Sequence, residues 1–84
     1  MNNKLLVTVS VPTMELEYDI YIPINKKVKV VKQLIINSIV DLTFNLYKPN
    51  NELALYWKES GKRVEEQLYV KEANIMNGDK LVLI

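Results

Sequence analysis

The side chains of this sequence that could carry out acid–base or metal chemistry are mainly carboxylates. The chain contains no histidine and no cysteine, which excludes imidazole catalysis, thiolate nucleophiles, disulfides and thiolate metal sites. Glu65 and Glu66 are adjacent, and we interpret them as a solvated turn because an acid–base pair also needs a pocket. Asp79 near Asp19 or Glu17 does not have the ligand spacing of a calcium loop. The sequence therefore predicts no catalytic residue, no metal site and no cofactor.

Length and composition are those of one small globular domain, which we assign to residues 1–84. The chain has 11 basic and 10 acidic residues and a net charge of +1, so its overall charge favours neither nucleic acid nor a membrane surface. It has no long apolar run of the kind that spans a membrane, and its first residues do not resemble a signal peptide. We expect a cytoplasmic protein that binds no nucleic acid and does not insert into a membrane.

Two segments near the start of the chain alternate between apolar and polar residues, KLLVTVSV and MELEYDIYI. A period of two over this length is typical of half-buried strands. The short link Pro12-Thr13 predicts that the two strands form an antiparallel hairpin. On the second strand, Glu15, Glu17 and Asp19 lie on the face opposite the apolar residues.

The next segment, NKKVKVVKQLIINSIVDL, predicts a helix from about Lys26 to Asp41, with Asn25 as its N-cap. The helical spacing assigns one set of residues to the core: Val28, Val31, Leu34, Ile35, Ser38, Ile39 and Leu42. Ile36 and Val40 lie beside that stripe, where they either face a partner or, as we favour, are covered by the loop of residues 44–47.

The second half of the chain contains shorter elements. ELALYWK predicts a third strand with Trp57 packed at the edge of the core, Arg63-Val64 a very short strand, and KLVLI a last strand after the turn Asn77-Gly78-Asp79. The order is β-β-α-β-(β)-β. It predicts an α+β domain in which one helix packs against one face of a mixed sheet.

The order and spacing of these elements resemble ubiquitin. YIPINKKVKVVKQLI is similar to the passage in ubiquitin from a strand through proline to the helix, and the second half matches at Gly61-Lys62, Val64, Leu68, Asn74-Ile75, Leu81 and Leu83. The ending IMNGDKLVLI most resembles the YukD/EsaB group, small cytosolic ubiquitin-like proteins that accompany type VII secretion systems in Gram-positive bacteria. The resemblance implies a β-grasp fold and a non-catalytic adaptor that binds a cytosolic part of a secretion apparatus.

The last residues of the sequence help to distinguish a non-covalent adaptor from other kinds of ubiquitin-like protein. Conjugated ubiquitin-like proteins and sulfur carriers present a flexible Gly-Gly end, whereas this sequence ends at Ile84 within or just after its last strand. We therefore expect non-covalent binding. A modifier or sulfur carrier that requires processing, and a small β-grasp subunit of a multicomponent enzyme, remain as alternatives.

Alternation along the strands, combined with the β-grasp strand order, predicts an apolar patch on the sheet face opposite the helix. Its residues are Leu6, Ala54, Tyr56, Val82 and Ile84, with Glu15, Glu17 and Asp19 as an acidic rim. We interpret the patch as a protein-binding surface anchored by Tyr56. Two other interpretations stay open. Scattered apolar residues and edge carboxylates are common on monomers, and the patch could instead close a homodimer.

Overall fold

The computed structural model of the protein describes residues 3–84, so the first two residues of the predicted domain lie outside the described residues. The elements are β1 (Lys4–Val11), a 3-10 turn (Pro12–Met14), β2 (Leu16–Pro23), α1 (Val28–Leu42), β3 (Leu55–Trp57) and β4 (Lys80–Leu83). The sheet order is β2-β1-β4-β3, in which only the β1–β4 pair is parallel. The predicted α+β arrangement of one helix on a mixed sheet is confirmed.

The core lies between α1 and one face of the sheet. Val7, Val9 and Val11 of β1 are 0% exposed because β1 has a paired strand on each side and the helix above it. Leu81 and Leu83 of β4 continue the same layer, and both are buried. The period-two pattern thus predicted correctly which side of these strands faces the helix.

The start of α1 differs from the prediction. The helix begins at Val28 and its N-cap is Lys27, whose side chain makes no capping hydrogen bond. Asn25 is therefore not the cap. The reason is that the main chain of another segment satisfies the first helical N–H groups: Val28 donates to the Leu68 carbonyl at 2.8 Å and Lys29 to the Glu66 carbonyl at 3.0 Å. With these donors already bonded, no capping side chain is needed.

The buried side of α1 is also turned relative to the prediction. Leu34, expected in the core, is 45% exposed, whereas Ile36 is buried in the core cluster together with Tyr47. Thr43 holds Tyr47 there, because its Oγ1 accepts a hydrogen bond from the Tyr47 N–H at 3.1 Å and donates to the Ile39 carbonyl at 2.8 Å. Val40 packs against the same cluster. The loop of residues 44–47 therefore supplies a core residue on this side of the helix.

Backbone bonds from the chain after β3 cover the outer edge of that strand. Trp57 donates its N–H to the Lys62 carbonyl at 2.8 Å, and the Val64 N–H donates to Leu55 at 2.9 Å. The short strand predicted at Arg63-Val64 is reduced to a single bridge between Arg63 and Tyr56. Trp57 is half-buried against the core, as its edge position predicted.

A charged cluster joins α1 to the segments on both sides of β3. Lys32 Nζ donates to Glu66 Oε2 at 3.0 Å and to the Leu53 carbonyl at 2.9 Å, and Arg63 Nη2 donates to Glu66 Oε2 at 3.0 Å. The interpretation of Glu65 and Glu66 as a solvated pair is therefore wrong for Glu66, whose side chain is only 19% exposed. Burial acts to raise the pKa of the Glu66 carboxyl, but the hydrogen bonds from Lys32 and Arg63 outweigh it and leave that pKa lowered.

Replacement of Glu66 by Gln tests this cluster. A carboxyl whose pKa is lowered by folding stabilises the protein above its unfolded-state pKa, and this contribution is lost as the pH falls through the lower folded-state value. We expect Glu66→Gln to reduce the free energy of unfolding by roughly 1 kcal/mol at about pH 7, after allowance for solvent screening. The loss should shrink at about pH 3. Urea unfolding measures both values.

The neighbouring Glu65 is exposed and provides the control, because Glu65→Gln should change stability much less at either pH. An equal loss in Glu66→Gln at both pH values would contradict the role given to the ionised carboxylate.

The second residue after the end of α1 offers another test. Phe44 has a φ of +53° at a position where glycine usually ends a helix, and its side chain is 89% exposed. Phe44→Gly removes the Cβ clash of the left-handed conformation and sacrifices no buried contact. We expect the free energy of unfolding to rise by about 0.5–1 kcal/mol, measured in urea. Leu46 is exposed but is not among the residues with positive φ, so Leu46→Gly should lower stability. A loss in Phe44→Gly as well would show that the aromatic ring contributes to folding.

Candidate protein-binding surface

The sheet face opposite α1, hereafter the outer face, is assembled from alternate residues of the four strands. Ser10 pairs with Glu17 on one side and with Val82 on the other, and Val82 pairs with Tyr56. One row therefore crosses the whole sheet in the order Glu17, Ser10, Val82, Tyr56. The structure brings Val82 and Tyr56 directly opposite each other, and both are partly exposed.

A polar row lies next to this one. Thr8 pairs with Asp19 and with Lys80. Leu6 lies one row further along β1, where it pairs with Tyr21. Leu6 and Val82 are thus separated by the Thr8 row, a distance of about 13 Å along the strands. The predicted patch is therefore not continuous: Leu6 is partly exposed, but it lies beside Tyr21 and away from Tyr56.

Ala54 and Ile84 form the last backbone pair on the other side of the Val82 row. Ala54 donates to the Ile84 carbonyl at 2.8 Å, and the Ile84 N–H donates back at 3.1 Å. Ile84 is 51% exposed, but Ala54 is only 1% exposed, so Ala54 does not contribute to an accessible patch.

The three predicted acidic residues do not all lie in one row on the outer face. Glu17 and Asp19 lie on β2 and face outward, next to Ser10 and Thr8. Glu15 precedes β2 and has a left-handed conformation with φ of +53°. Its N–H donates to the Pro12 carbonyl at 3.0 Å and closes the 3-10 turn. Glu15 is exposed beside the strand, but it does not continue the row of outward-facing carboxylates.

An ion pair crosses the outer face from one edge to the other. Lys58 Nζ, at the end of β3, donates to Glu17 Oε2 on β2 at 2.8 Å. Since β1 and β4 lie between these strands, the two side chains extend over them. The hydrogen bond from Lys58 is the main cause of the lowered pKa of Glu17, and the Ser10 hydroxyl, which donates to the same oxygen at 3.0 Å, adds to it. The pair is solvent-exposed, so its effect on stability is small. It does determine where the two charged groups lie on the outer face.

The charged residues of the outer face are divided between strands by sign, although the Lys58 ammonium itself reaches Glu17. Carboxylates occupy the β2 side, where the Thr8 hydroxyl also donates to Asp19 at 2.8 Å, and Lys58 and Lys80 occupy the β3–β4 side. The sequence reasoning missed the two lysines. The signal was present, because Lys58 is two residues after Tyr56 and Lys80 two residues before Val82, so alternation places all four on one face.

An apolar depression of about 430 Å³ lies beside the start of β1, lined by Leu5, Ile24, Lys71, Asn74, Ile75, Met76 and Asn77. Within residues 3–84, no group of three or more acidic, histidine or cysteine side chains could hold a metal ion. No helix in that part of the chain is long and apolar enough to cross a membrane.

Comparison of the sequence with family models and with curated proteins finds no match. Solved structures do match. The EccD5 ubiquitin-like domain from Mycobacterium xenopi has a TM-score of 0.73 and 15% identity, with 99% of this chain and 94% of that chain covered. A chain of the MycP5-free ESX-5 inner membrane complex has a TM-score of 0.76 and 16% identity over 99% of this chain, which spans only 21% of that one.

A third similar structure comes from an enzyme. A chain of the toluene 4-monooxygenase HD complex has a TM-score of 0.78 and 9% identity, with 95% of both chains covered. At identities this low, the comparisons establish the fold alone. The chain has the ubiquitin-like β-grasp fold that its sequence predicted.

Proposed function

We propose that this protein is a non-catalytic ubiquitin-like module that binds a protein partner through its outer face, as an accessory of a type VII secretion system. The observation that carries the binding role is the row in which Tyr56 and Val82 lie opposite each other, partly exposed, on the two strands that also carry Lys58 and Lys80. The assignment to secretion is supported by the resemblance to the YukD/EsaB group and by the similarity to the EccD5 domain and the ESX-5 complex.

Binding at this face would combine two effects. Tyr56, Val82 and the half-exposed Ile84 provide apolar area, and an aromatic residue near the centre of an interface is the usual anchor. Beside the Glu17–Lys58 ion pair, Asp19 on β2 and Lys80 on β4 place opposite charges on different strands and give the face a direction. A partner with the reverse charge pattern would bind in one orientation and associate faster.

A second candidate function is that of a small β-grasp subunit in a multicomponent enzyme. It is favoured by the similarity to a chain of the toluene 4-monooxygenase complex, which matches over 95% of both chains. Such a subunit would also contribute a surface, so the identity of the partner separates the two functions.

Affinity capture from detergent-solubilised cells of the source organism tests both. Mass spectrometry would compare the wild type with the double variant Tyr56→Glu/Val82→Glu. We expect secretion-system proteins among the wild-type partners and a loss of about tenfold or more with the double variant, because two charged side chains would replace the apolar contact and would have to lose their hydration. Leu34→Glu is the control, since Leu34 is 45% exposed and lies on the helix and not on the outer face.

Each variant is first compared with the wild type by circular dichroism to confirm that it is folded. Recovery of the same partners by a folded double variant would contradict binding at the outer face. Capture of oxygenase or hydroxylase subunits in place of secretion proteins would establish the second candidate function.

A further inference from the structure

The two edges of the sheet are completed differently. At the β3 edge, the chain of residues 61–64 supplies backbone bonds to Leu55 and Trp57. At the other edge, β2 is eight residues long and pairs only with β1. Among the described residues, no segment bonds to its outer side. An unpaired edge strand presents a row of N–H and C=O groups to which another strand can bond.

The register identifies which groups point away from the sheet. In an antiparallel pair, alternate residues direct both their N–H and their C=O toward the partner strand. Ile24 donates its N–H to the Asn3 carbonyl at 2.9 Å, so the even-numbered residues of β2 face β1. The N–H and C=O groups of Glu17, Asp19 and Tyr21 therefore face the open side. Six groups are aligned along one edge for a strand to bond.

The core is also incomplete beside this edge. The core-facing valines of β1 are all 0% exposed, but Leu16, which faces the same side from β2, is 37% exposed. Tyr18 and Ile20 pack against the core and are only partly buried. A fifth strand next to β2 would place side chains beside these three residues and remove apolar surface from water.

The charges along β2 indicate which side chains a strand added at this edge should carry. Glu17 and Asp19 lie on the outer face of β2, and a neighbouring strand would place its own outward side chains about 5 Å away. Lys58 is bonded to Glu17, and Thr8 to Asp19, yet both carboxylates remain exposed. A second copy of this chain would set carboxylates against carboxylates, which is destabilising. The edge thus favours a strand with basic residues.

We propose that the open edge of β2 is a docking site for an extended segment of a partner protein that adds a fifth strand to the sheet. The segment would alternate lysine or arginine, facing Glu17 and Asp19, with apolar residues that cover Leu16, Tyr18 and Ile20. Main-chain hydrogen bonds to Glu17, Asp19 and Tyr21 would provide affinity, and the alternating side chains would provide specificity. This site shares Glu17 with the outer-face row but lies at the edge of the sheet away from Tyr56 and Val82, and it does not rest on the proposed secretion role.

The test uses the full chain and synthetic peptides of about seven residues, the usual length of a strand. The first peptide alternates lysine and valine. The second replaces each lysine by glutamate. The third keeps the lysine–valine sequence but carries N-methyl groups on alternate amides, which preserves charge and removes the donors of one edge. Binding is followed by amide chemical shifts and by hydrogen exchange of the ¹⁵N-labelled protein.

We expect the lysine–valine peptide to shift the amides of Glu17, Asp19 and Tyr21 and to slow their exchange. The glutamate peptide and the N-methylated peptide should each bind at least about tenfold more weakly, since one loses the charge pairing and the other the main-chain bonds. Equal binding by the N-methylated peptide, or no binding by the lysine–valine peptide, would overturn the proposal.

Protein variants locate the site. Asp19→Lys should weaken the binding of the lysine–valine peptide and strengthen the binding of the glutamate peptide. Glu59→Lys makes the same charge change in the exposed turn after β3, at the opposite edge of the sheet, and should leave the preference unchanged. Tyr56→Ala/Val82→Ala, which leaves the charges of the outer face unchanged, should bind the lysine–valine peptide like the wild type, which distinguishes this site from the apolar residues of the outer face.

Two further results would also overturn the proposal. Shifts centred on Tyr56 and Val82 would place the peptide on the outer face. A concentration-dependent dimer in sedimentation velocity, with the Glu17 and Asp19 amides protected in the absence of peptide, would make a second copy the occupant of the edge.

Discussion

The parallel pairing of β1 with β4 is the constraint on which the rest of this structure depends. It places Thr8 beside Lys80, which lie near opposite ends of the chain. A parallel pair cannot be closed by a tight turn, so the chain between the strands must cross the sheet, and α1 makes part of that crossing. The turn before β4 locks the register: the Gly78 N–H donates to the Leu6 carbonyl at 2.7 Å, and the Thr8 N–H donates to Asp79 at 2.9 Å. Because β1 is paired on both sides, its valines are buried and β2 is left as an edge strand of the sheet.

The irregular chain between β3 and β4 supports the regular elements through its main chain. It satisfies the first N–H groups of α1, and Val70 donates its own N–H to the Lys26 carbonyl at 2.9 Å. Val64 donates its N–H to the Leu55 carbonyl and so completes the hydrogen bonding at the edge of β3. Glu66 adds charge to this framework through Lys32, which also reaches the Leu53 carbonyl. A segment with almost no secondary structure of its own thus acts as both a helix cap and an edge strand.

This arrangement explains which features could be predicted from the sequence. Alternation is local, so the strands β1 and β2 and their inner faces follow from the residues themselves. The helix cap and the buried side of α1 do not, because they depend on Leu68 and on the position of Tyr47. The apolar residues of α1 cover too wide an arc for the helical spacing to choose between Leu34 and Ile36. The packing of Tyr47, fixed by Thr43, makes that choice.

The candidate surface shows the same limit. Alternation assigned Leu6, Tyr56 and Val82 to the correct face of the sheet. It could not show that Leu6 and Val82 are two rows apart, because the offset between β1 and β4 is set by the turn at Gly78 and not by either strand. Nor could it show that Ala54 is covered, since exposure depends on neighbours in three dimensions. A face can be predicted from one strand, but a patch requires the register of several.

Glu17 belongs both to the outer face and to the open edge of β2, so binding at one of these surfaces affects the other. Its carboxylate is held by Lys58, which reaches across the outer face, while its main chain faces the open edge of β2. A basic side chain in an added strand would compete with Lys58 for the same carboxylate and free the lysine over Val82 and Tyr56. Occupation of the edge would then change the charge pattern that a partner meets on the outer face. Because linkage is reciprocal, a partner on the outer face that binds Lys58 would change the affinity of the edge by the same factor.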